Sequence, residues 1–226
     1  MVLRLIILNN ILIFGGTFDP IHYGHLNIAI NIQNFFSFNK FIFLPCKQSL
    51  LKNIPHTTIY HRITMLNLAL TESQQHTNYN FTLDLHEITR STPSYTAITL
   101  QNYRKIYGTN TAITLMMGTD SFYQLPLWED WQNFLNWSNL LIVNRHDKTE
   151  SLCSTLQKLL DAHETKQPEQ LLTTAHGVIY QFNAGNYAIS STMLRQQFSQ
   201  QEHDVNKKLP QSIYDYIISH QLYTNN

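Results

Sequence analysis

The sequence predicts an α/β fold: a mostly parallel sheet with helices on both faces. Three observations carry this. Apolar runs of strand length alternate with segments of helical periodicity from end to end. Several of those runs are continuous, as strands buried on both faces are. The clearest of them, 11–14, stops at Gly15-Gly16 with a helical pattern just beyond, the opening of a βαβ unit. At 226 residues the chain can build one sizeable core. It is therefore read as a single domain over 1–226, with C-terminal helices (about 190–226) packed on it.

The elements follow in order. After the strand 11–14, apolar spacing suits a helix over 26–36. Residues 40–44 (KFIFL) read as a second strand, closed by Pro45. A helix over 59–70 places Ile63, Leu66 and Leu70 on one face. Residues 80–88 alternate, with Phe81, Leu83 and Leu85 inward, and predict a strand. A helix over 96–107 ends at Gly108, a suitable C′ residue. A strand at 112–117 runs into Gly118-Thr-Asp120, and 128–137 predicts a helix. Residues 140–143 predict a strand, 152–160 a helix and 178–182 the last strand. One helix is expected from about Thr192 and another over 210–220. Residues 147–176 are polar and irregular, an insertion or a loop-rich helix pair.

Composition removes several classes. Lys+Arg and Asp+Glu are 15 each, so the net charge is zero and a broad basic surface for duplex nucleic acid is not expected. No apolar run approaches the ~20 residues of a membrane span, and mean hydropathy is −0.24. Cys46 and Cys153 lie far apart without metal-ligand spacing, which predicts two free thiols in a reducing compartment and no protein-held metal. The apolar start of the chain is interrupted by Asn9 and Asn10 and has no small-residue cleavage site, so it reads as a strand and not a signal peptide. A cytoplasmic location is expected.

The string Gly15-Gly16-Thr17-Phe18-Asp19-Pro20-Ile21-His22-Tyr23-Gly24-His25 carries the most chemistry. Glycines at the end of a strand let the backbone turn and let a ligand approach closely. The following helix aims its free N–H groups and positive dipole end at that spot, which favours phosphate. His22 and His25, with Gly24 between them, suit charge stabilisation of a transferring phosphoryl group better than nucleophilic attack. The spacing is neither a Walker A loop nor GxGxxG.

A second constellation is Ile189-Ser-Ser-Thr-Met-Leu-Arg195, at the start of a helix after the last strand. Ser190 or Ser191 taken alone reads as a cap. Arg195, four residues after Ser191, shares its helical face. Hydroxyl, backbone N–H and guanidinium then form a second anion cradle, suited to the distal phosphates of a nucleotide.

GGTFDPIHYGHL and ISSTMLR resemble the two signatures of the HxGH-motif nucleotidyltransferase superfamily. Pro93-Ser-Tyr-Thr-Ala97, Gly118-Thr-Asp-Ser121, Leu125-Pro-Leu-Trp128 and the ending from Leu209-Pro210 to Leu222-Tyr223 are similar to bacterial nicotinate-nucleotide adenylyltransferases. The resemblance spans nearly the whole chain in the right order. It implies a Rossmann-like fold and, as activity, transfer of the adenylyl group of ATP to nicotinate mononucleotide with Mg²⁺, giving deamido-NAD and pyrophosphate. By resemblance, His22 and His25 contact the ATP phosphates, Ser190, Ser191 and Arg195 hold the leaving pyrophosphate, and Gly15, Gly16, Thr17 and Phe18 line the phosphate turn. Gly118 and Asp120 fit the ribose of ATP, Thr96 and Trp128 the nicotinate ring, and Arg145 a phosphate. The partners implied are these two nucleotides, with no nucleic acid or membrane; oligomeric state is not readable.

Two departures stand out. Where the family commonly has Pro-Pro-His followed by a basic residue, this chain has Ser49-Leu50-Leu51 before Lys52, which leaves Lys52 as the expected phosphate contact of that loop and the histidine's role either absent or taken by Lys47 or His56. Glu129 replaces an aromatic residue often found after Trp128. Open alternatives are an adenylyltransferase preferring nicotinamide mononucleotide, a shorter phosphopantetheine-type relative, and a non-catalytic nucleotide-binding module on the same fold.

Overall fold

The computed structural model describes residues 9–48, 55–79, 81–91, 93–144, 152–185, 187–202 and 204–224. Among these, six strands form one sheet: β1 (Asn10–Gly16), β2 (Lys40–Pro45), β3 (Phe81–Leu83), β4 (Ala112–Gly118), β5 (Asn139–Asn144) and β6 (Ile179–Asn183). Their order is β3-β2-β1-β4-β5-β6. The sheet thus grows outward from β1 in both directions, the Rossmann-like pattern in which ligands bind beyond the carboxyl ends of the strands. The β1/β4, β4/β5 and β5/β6 pairs are parallel, with Ile13 opposite Leu115, Leu115 opposite Leu140, and Leu141 opposite Tyr180. Ile11 to Phe14 are buried without interruption, as that unbroken apolar run predicts, and so are Ala112 to Met117, Thr114 included.

The helices are α1 (Tyr23–Phe36), α2 (Ile59–His76), α3 (His86–Thr89), α4 (Thr96–Tyr107), α5 (Thr119–Tyr123), α6 (Phe134–Trp137), α7 (Ser154–His163), α8 (Gln170–Thr173), α9 (Ser191–Ser199) and α10 (Gln211–Ser219). No helix of the described residues is long and apolar enough to cross a membrane.

The chain divides into two compact units, between which it passes repeatedly. The first comprises Met1–Phe14, Phe36–Ile42 and Tyr95–Ala184. Its core is built from Leu12, Ile13, Ile113, Leu140, Leu141, Val143 and Ile179, each almost fully buried. The Arg104 guanidinium ties the ends of several segments together. Its Nη2 donates to the carbonyls of Trp137 (2.6 Å) and Ala175 (2.8 Å), and its Nη1 to those of Thr111 (2.7 Å) and Gly108 (2.8 Å). Gly108 closes α4 with φ 82°, as the sequence predicts.

The second unit comprises Gly15–Phe35, Phe43–Ser94 and Gly185–Asn226. Here α10 packs on α2, and the Ser212 hydroxyl at the start of α10 donates to Glu72. Asn31 of α1 donates to the Tyr187 hydroxyl at 2.7 Å.

Three local expectations are corrected. The strand predicted over 80–88 stops at Leu83, because the Asp84 carboxylate accepts from His86 N at 2.8 Å and starts α3. The helix predicted over 128–137 is a 3₁₀ turn, Trp131–Asn133, followed by α6, with another 3₁₀ turn, Leu125–Leu127, just before it. Asp130 between those turns has a left-handed φ of 54°, which no continuous helix accommodates. Helix α1 starts three residues earlier than expected, since the His22 carbonyl accepts from both His25 N (2.9 Å) and Leu26 N (3.2 Å). In the irregular stretch, α7 and α8 are helices.

Candidate active site

The loop between β1 and α1 is shaped by Phe18 more than by its glycines. Phe18 has φ 49°, a left-handed value, and it makes the turn assigned above to the glycine pair. Among the described residues the glycines with positive φ are Gly108, Gly177 and Gly185. Gly16 is needed for another reason: a Cβ there would lie 2.8 Å from Cζ of Phe18, so the ring folds over bare backbone. From that position the ring meets Phe43 at 5.7 Å and the His25 imidazole edge-on at 5.2 Å. Phe18 is thus a buttress for the histidine.

His22 ends the loop and His25 lies in the first turn of α1. Their ring centroids are 3.8 Å apart at 32°, nearly stacked. His22 is 1% exposed and His25 half-buried. Gly24 makes the stacking possible. A Cβ there would come within 2.9 Å of two atoms of the His22 ring and 3.2 Å of the Ile189 carbonyl. The pair sits at the helix end where N–H groups point outward, and two imidazoles there can donate hydrogen bonds to an anion.

The second constellation meets the first. Ser190 is the N-cap of α9, its hydroxyl accepting from Met193 N at 3.2 Å. Ser191 and Arg195 share a face, as expected, and both reach the histidine loop. The Ser191 hydroxyl donates to the Pro20 carbonyl (2.9 Å), and Arg195 Nη1 donates to the Asp19 carbonyl (2.8 Å). Arg195 Nη2 donates to Thr192 Oγ1 (3.1 Å). Helix α9 therefore holds the backbone that leads into His22 and brings a guanidinium beside it.

Behind the loop, the Asp19 carboxylate is 3% exposed and accepts three hydrogen bonds: from His56 N, Thr57 Oγ1 and the Tyr223 hydroxyl, each at 2.7 Å. Arg62 of α2 is 1% exposed. Its Nη1 donates to the carbonyls of Thr17 and Cys46, and its Nη2 to that of Lys47, all at 2.8 Å. Burial lowers the Arg62 pKa, opposed by Cys46, Asp19 and Tyr223. The β1–α1 loop and the loop after β2 thus share one buried cation.

Four further predicted residues lie in the first unit. Thr96 is the first residue of α4 and half-buried. Gly118 ends β4, and Asp120 is exposed in the first turn of α5. Trp128 stands edge-on to Phe134 at 6.2 Å, and its indole Nε1 is buried without a hydrogen-bond partner among the described residues. Lys52 and Arg145 lie outside the described residues, as do Ser49, Leu50 and Leu51.

The cytidylyltransferase-like family profile matches residues 13–197. A protein of Legionella pneumophila (strain Lens) named "probable nicotinate-nucleotide adenylyltransferase" is 38% identical over 96% of this chain and 100% of its own length. One of the same name from Klebsiella pneumoniae is 34% identical over 93% of this chain and 95% of its own. The chain belongs to the nicotinate-nucleotide adenylyltransferase family. A solved nicotinic acid mononucleotide adenylyltransferase of Plasmodium falciparum, complexed with NaAD, superposes with a TM-score of 0.71 over 95% of this chain and 97% of that one; at 22% identity the likeness is one of fold.

In this member of the adenylyltransferase family the structure brings together the histidines, Ser191 and Arg195 that the sequence singles out, and adds Asp19, Arg62, Thr57 and Tyr223, which sequence reasoning missed. Asp19 stood inside the quoted motif, and a carboxylate before a proline on an otherwise apolar loop was the available signal. Nothing local marks Arg62, which reads as an ordinary polar position of an amphipathic helix. Tyr223 joins Asp19 across 204 positions, which no spacing argument reaches.

Proposed function

We propose that this chain transfers the adenylyl group of ATP to nicotinate mononucleotide, yielding deamido-NAD and pyrophosphate, as the step that completes the dinucleotide in NAD biosynthesis. The observation that carries the reading is the closely apposed His22–His25 pair at the start of α1, tied through Asp19 and Pro20 to Ser191 and Arg195. An oxygen of the mononucleotide phosphate attacks the α-phosphorus of ATP; that P–O bond forms as the bond to the β,γ-pyrophosphate breaks. No protein nucleophile is needed, so catalysis is positioning and charge stabilisation.

Each role follows from what the residue offers. The imidazoles of His22 and His25 donate to phosphate oxygens on which charge develops. Arg195, with Ser191 and the capped start of α9, receives the leaving pyrophosphate; of the five N–H donors of a guanidinium, those already on Asp19 and Thr192 fix its plane. Gly15, exposed and without a side chain, with Gly16, Thr17 and Phe18, lets nucleotide approach the backbone. In the first unit, the family motifs assign Gly118 and Asp120 to the ribose, and Thr96 and Trp128 to the pyridine ring, whose cationic face an indole favours. Lys52 and Arg145 remain proposed phosphate contacts.

Mg²⁺ fits this scheme as an ion carried by the triphosphate. Among the described residues no group of three His, Cys, Asp or Glu is gathered to hold a metal, and the loop's own carboxylate, Asp19, has its oxygens engaged. Bound with ATP, it would offset charge on the phosphates. A cytoplasmic location and a single working domain over 1–226 accompany the proposal.

The test is pyrophosphate release from ATP and Mg²⁺, with nicotinate and nicotinamide mononucleotides offered side by side. Strong preference for nicotinate is expected. Equal use would keep the chemistry and remove the pyridine assignment of Thr96 and Trp128. Release with neither would refute the reading.

A further inference from the structure

We infer that Tyr223 is a positioning residue for the proposed reaction, acting through the buried Asp19 carboxylate on the His22–His25 loop and on Arg195. The inference rests on reading that loop as the catalytic one.

The route begins at the end of α10. Gln221 N donates to the Ile218 carbonyl and Leu222 N to the Ile217 carbonyl, at 3.1 and 3.0 Å. With Gln221 at φ 52° and Tyr223 at φ 64°, the chain wraps its helix end and turns back. The helix that sets this turn is fixed on α2 by Ser212 on Glu72 and by Tyr216, whose hydroxyl meets His61 Nδ1 at 2.9 Å. Tyr223 then places its ring 6.1 Å from that of Phe198 of α9 and its hydroxyl on Asp19 Oδ1.

Asp19 is gripped on two sides. Its side chain is held by His56 N, Thr57 Oγ1 and Tyr223, and its main-chain carbonyl by Arg195. The next carbonyl, that of Pro20, takes the Ser191 hydroxyl. Two residues later stands His22. Loss of a donor from a buried carboxylate moves that carboxylate, and what it moves here is the segment carrying both the imidazole pair and the acceptor that sets the Arg195 plane. Displacements well under 1 Å are costly to an in-line transfer.

Tyr223→Phe keeps the ring against Phe198 and deletes the donor. The expected result is a kcat lower by about tenfold, the effect of losing one hydrogen bond to a charged group, with KM for both nucleotides within about twofold. Thr57→Val removes another donor from the same Oδ1 and is the second variant should Tyr223→Phe fold poorly. Because both act through one carboxylate, the double variant loses less than the product of the single losses. In the ligand-free protein, the His22 and His25 ring resonances move in Tyr223→Phe. That arm needs no substrate, so the inference is tested even if wild-type protein proves inactive on nicotinate mononucleotide. An unchanged kcat, losses that multiply independently, or unmoved ring resonances would each overturn it.

Discussion

Gly24→Ala puts the smallest possible side chain into a contact beside His22 that has no room for it. The added carbon would sit 2.9 Å from Cε1 and Nδ1 of His22 and 3.2 Å from the Ile189 carbonyl. Ordinary contact at such a carbon starts near 3.4 Å, so a shift of ~0.5 Å is required. The Ile189 backbone yields poorly, since its N–H is on the Tyr187 carbonyl at 2.7 Å and the next residue caps α9. His22, buried and nearly stacked on His25, takes most of the displacement. Overpacking of this kind costs about 1–3 kcal/mol, and a 1 Å error in a catalytic geometry costs ~100-fold in rate. Half of that displacement gives an expected kcat loss of at least ~10-fold. Steady-state pyrophosphate release, with a thermal melt to confirm folding, measures both effects. A folded variant with kcat within about twofold of wild type would refute the reasoning that Gly24 exists to let the imidazoles stack.

Other perturbations separate the parts. His25→Ala should abolish turnover with little loss of folding, checked by single-turnover assay beside circular dichroism; full retained activity would remove its phosphate-stabilising role. Arg195→Ala should raise KM for ATP or lower kcat in steady-state kinetics, and an unchanged ATP profile would count against the second cradle. Arg104→Ala strands the carbonyls of Trp137, Ala175 and Thr111 and should cost about 2–4 kcal/mol in urea denaturation, while an unchanged midpoint would show those bonds to be worth nothing. Burial, and then the negative Asp19, raise the Tyr223 pKa well above its ordinary 10.0. Its contribution to stability is complete below that unfolded-state value and is lost as pH rises through the folded one. The denaturation midpoint should therefore fall as pH rises above about 10, and by less in Tyr223→Phe; equal falls would show that Tyr223 titrates as an exposed tyrosine does.

Periodicity and short-range spacing were legible, and long-range polar contacts were not. The largely apolar runs of β1, β4 and β5 announced buried parallel strands, and Gly108 announced the end of α4. The pattern over 80–88 misled because alternation says nothing of an Asp84 carboxylate starting a turn, and 128–137 misled because apolar spacing cannot register a left-handed Asp130. The pairs His22/His25 and Ser191/Arg195 were legible because their members are three and four residues apart, although Ser191 and Arg195 reach the loop at Asp19 and Pro20 across more than 170 positions. Asp19, Arg62 and Tyr223 depend on partners 15 to 204 positions distant, where only tertiary structure sets the distance.

Phe18 bears on protein engineering. A non-glycine residue held at φ 49° costs ~1–2 kcal/mol of backbone strain. A stabilisation campaign that scans for strained positions would therefore nominate Phe18→Gly, and the backbone gain would be real. The same change would withdraw the ring that covers Gly16 and leans on His25. Thermostability and turnover pull in opposite directions at this single codon, so variants selected by melting temperature alone would drift away from a working enzyme.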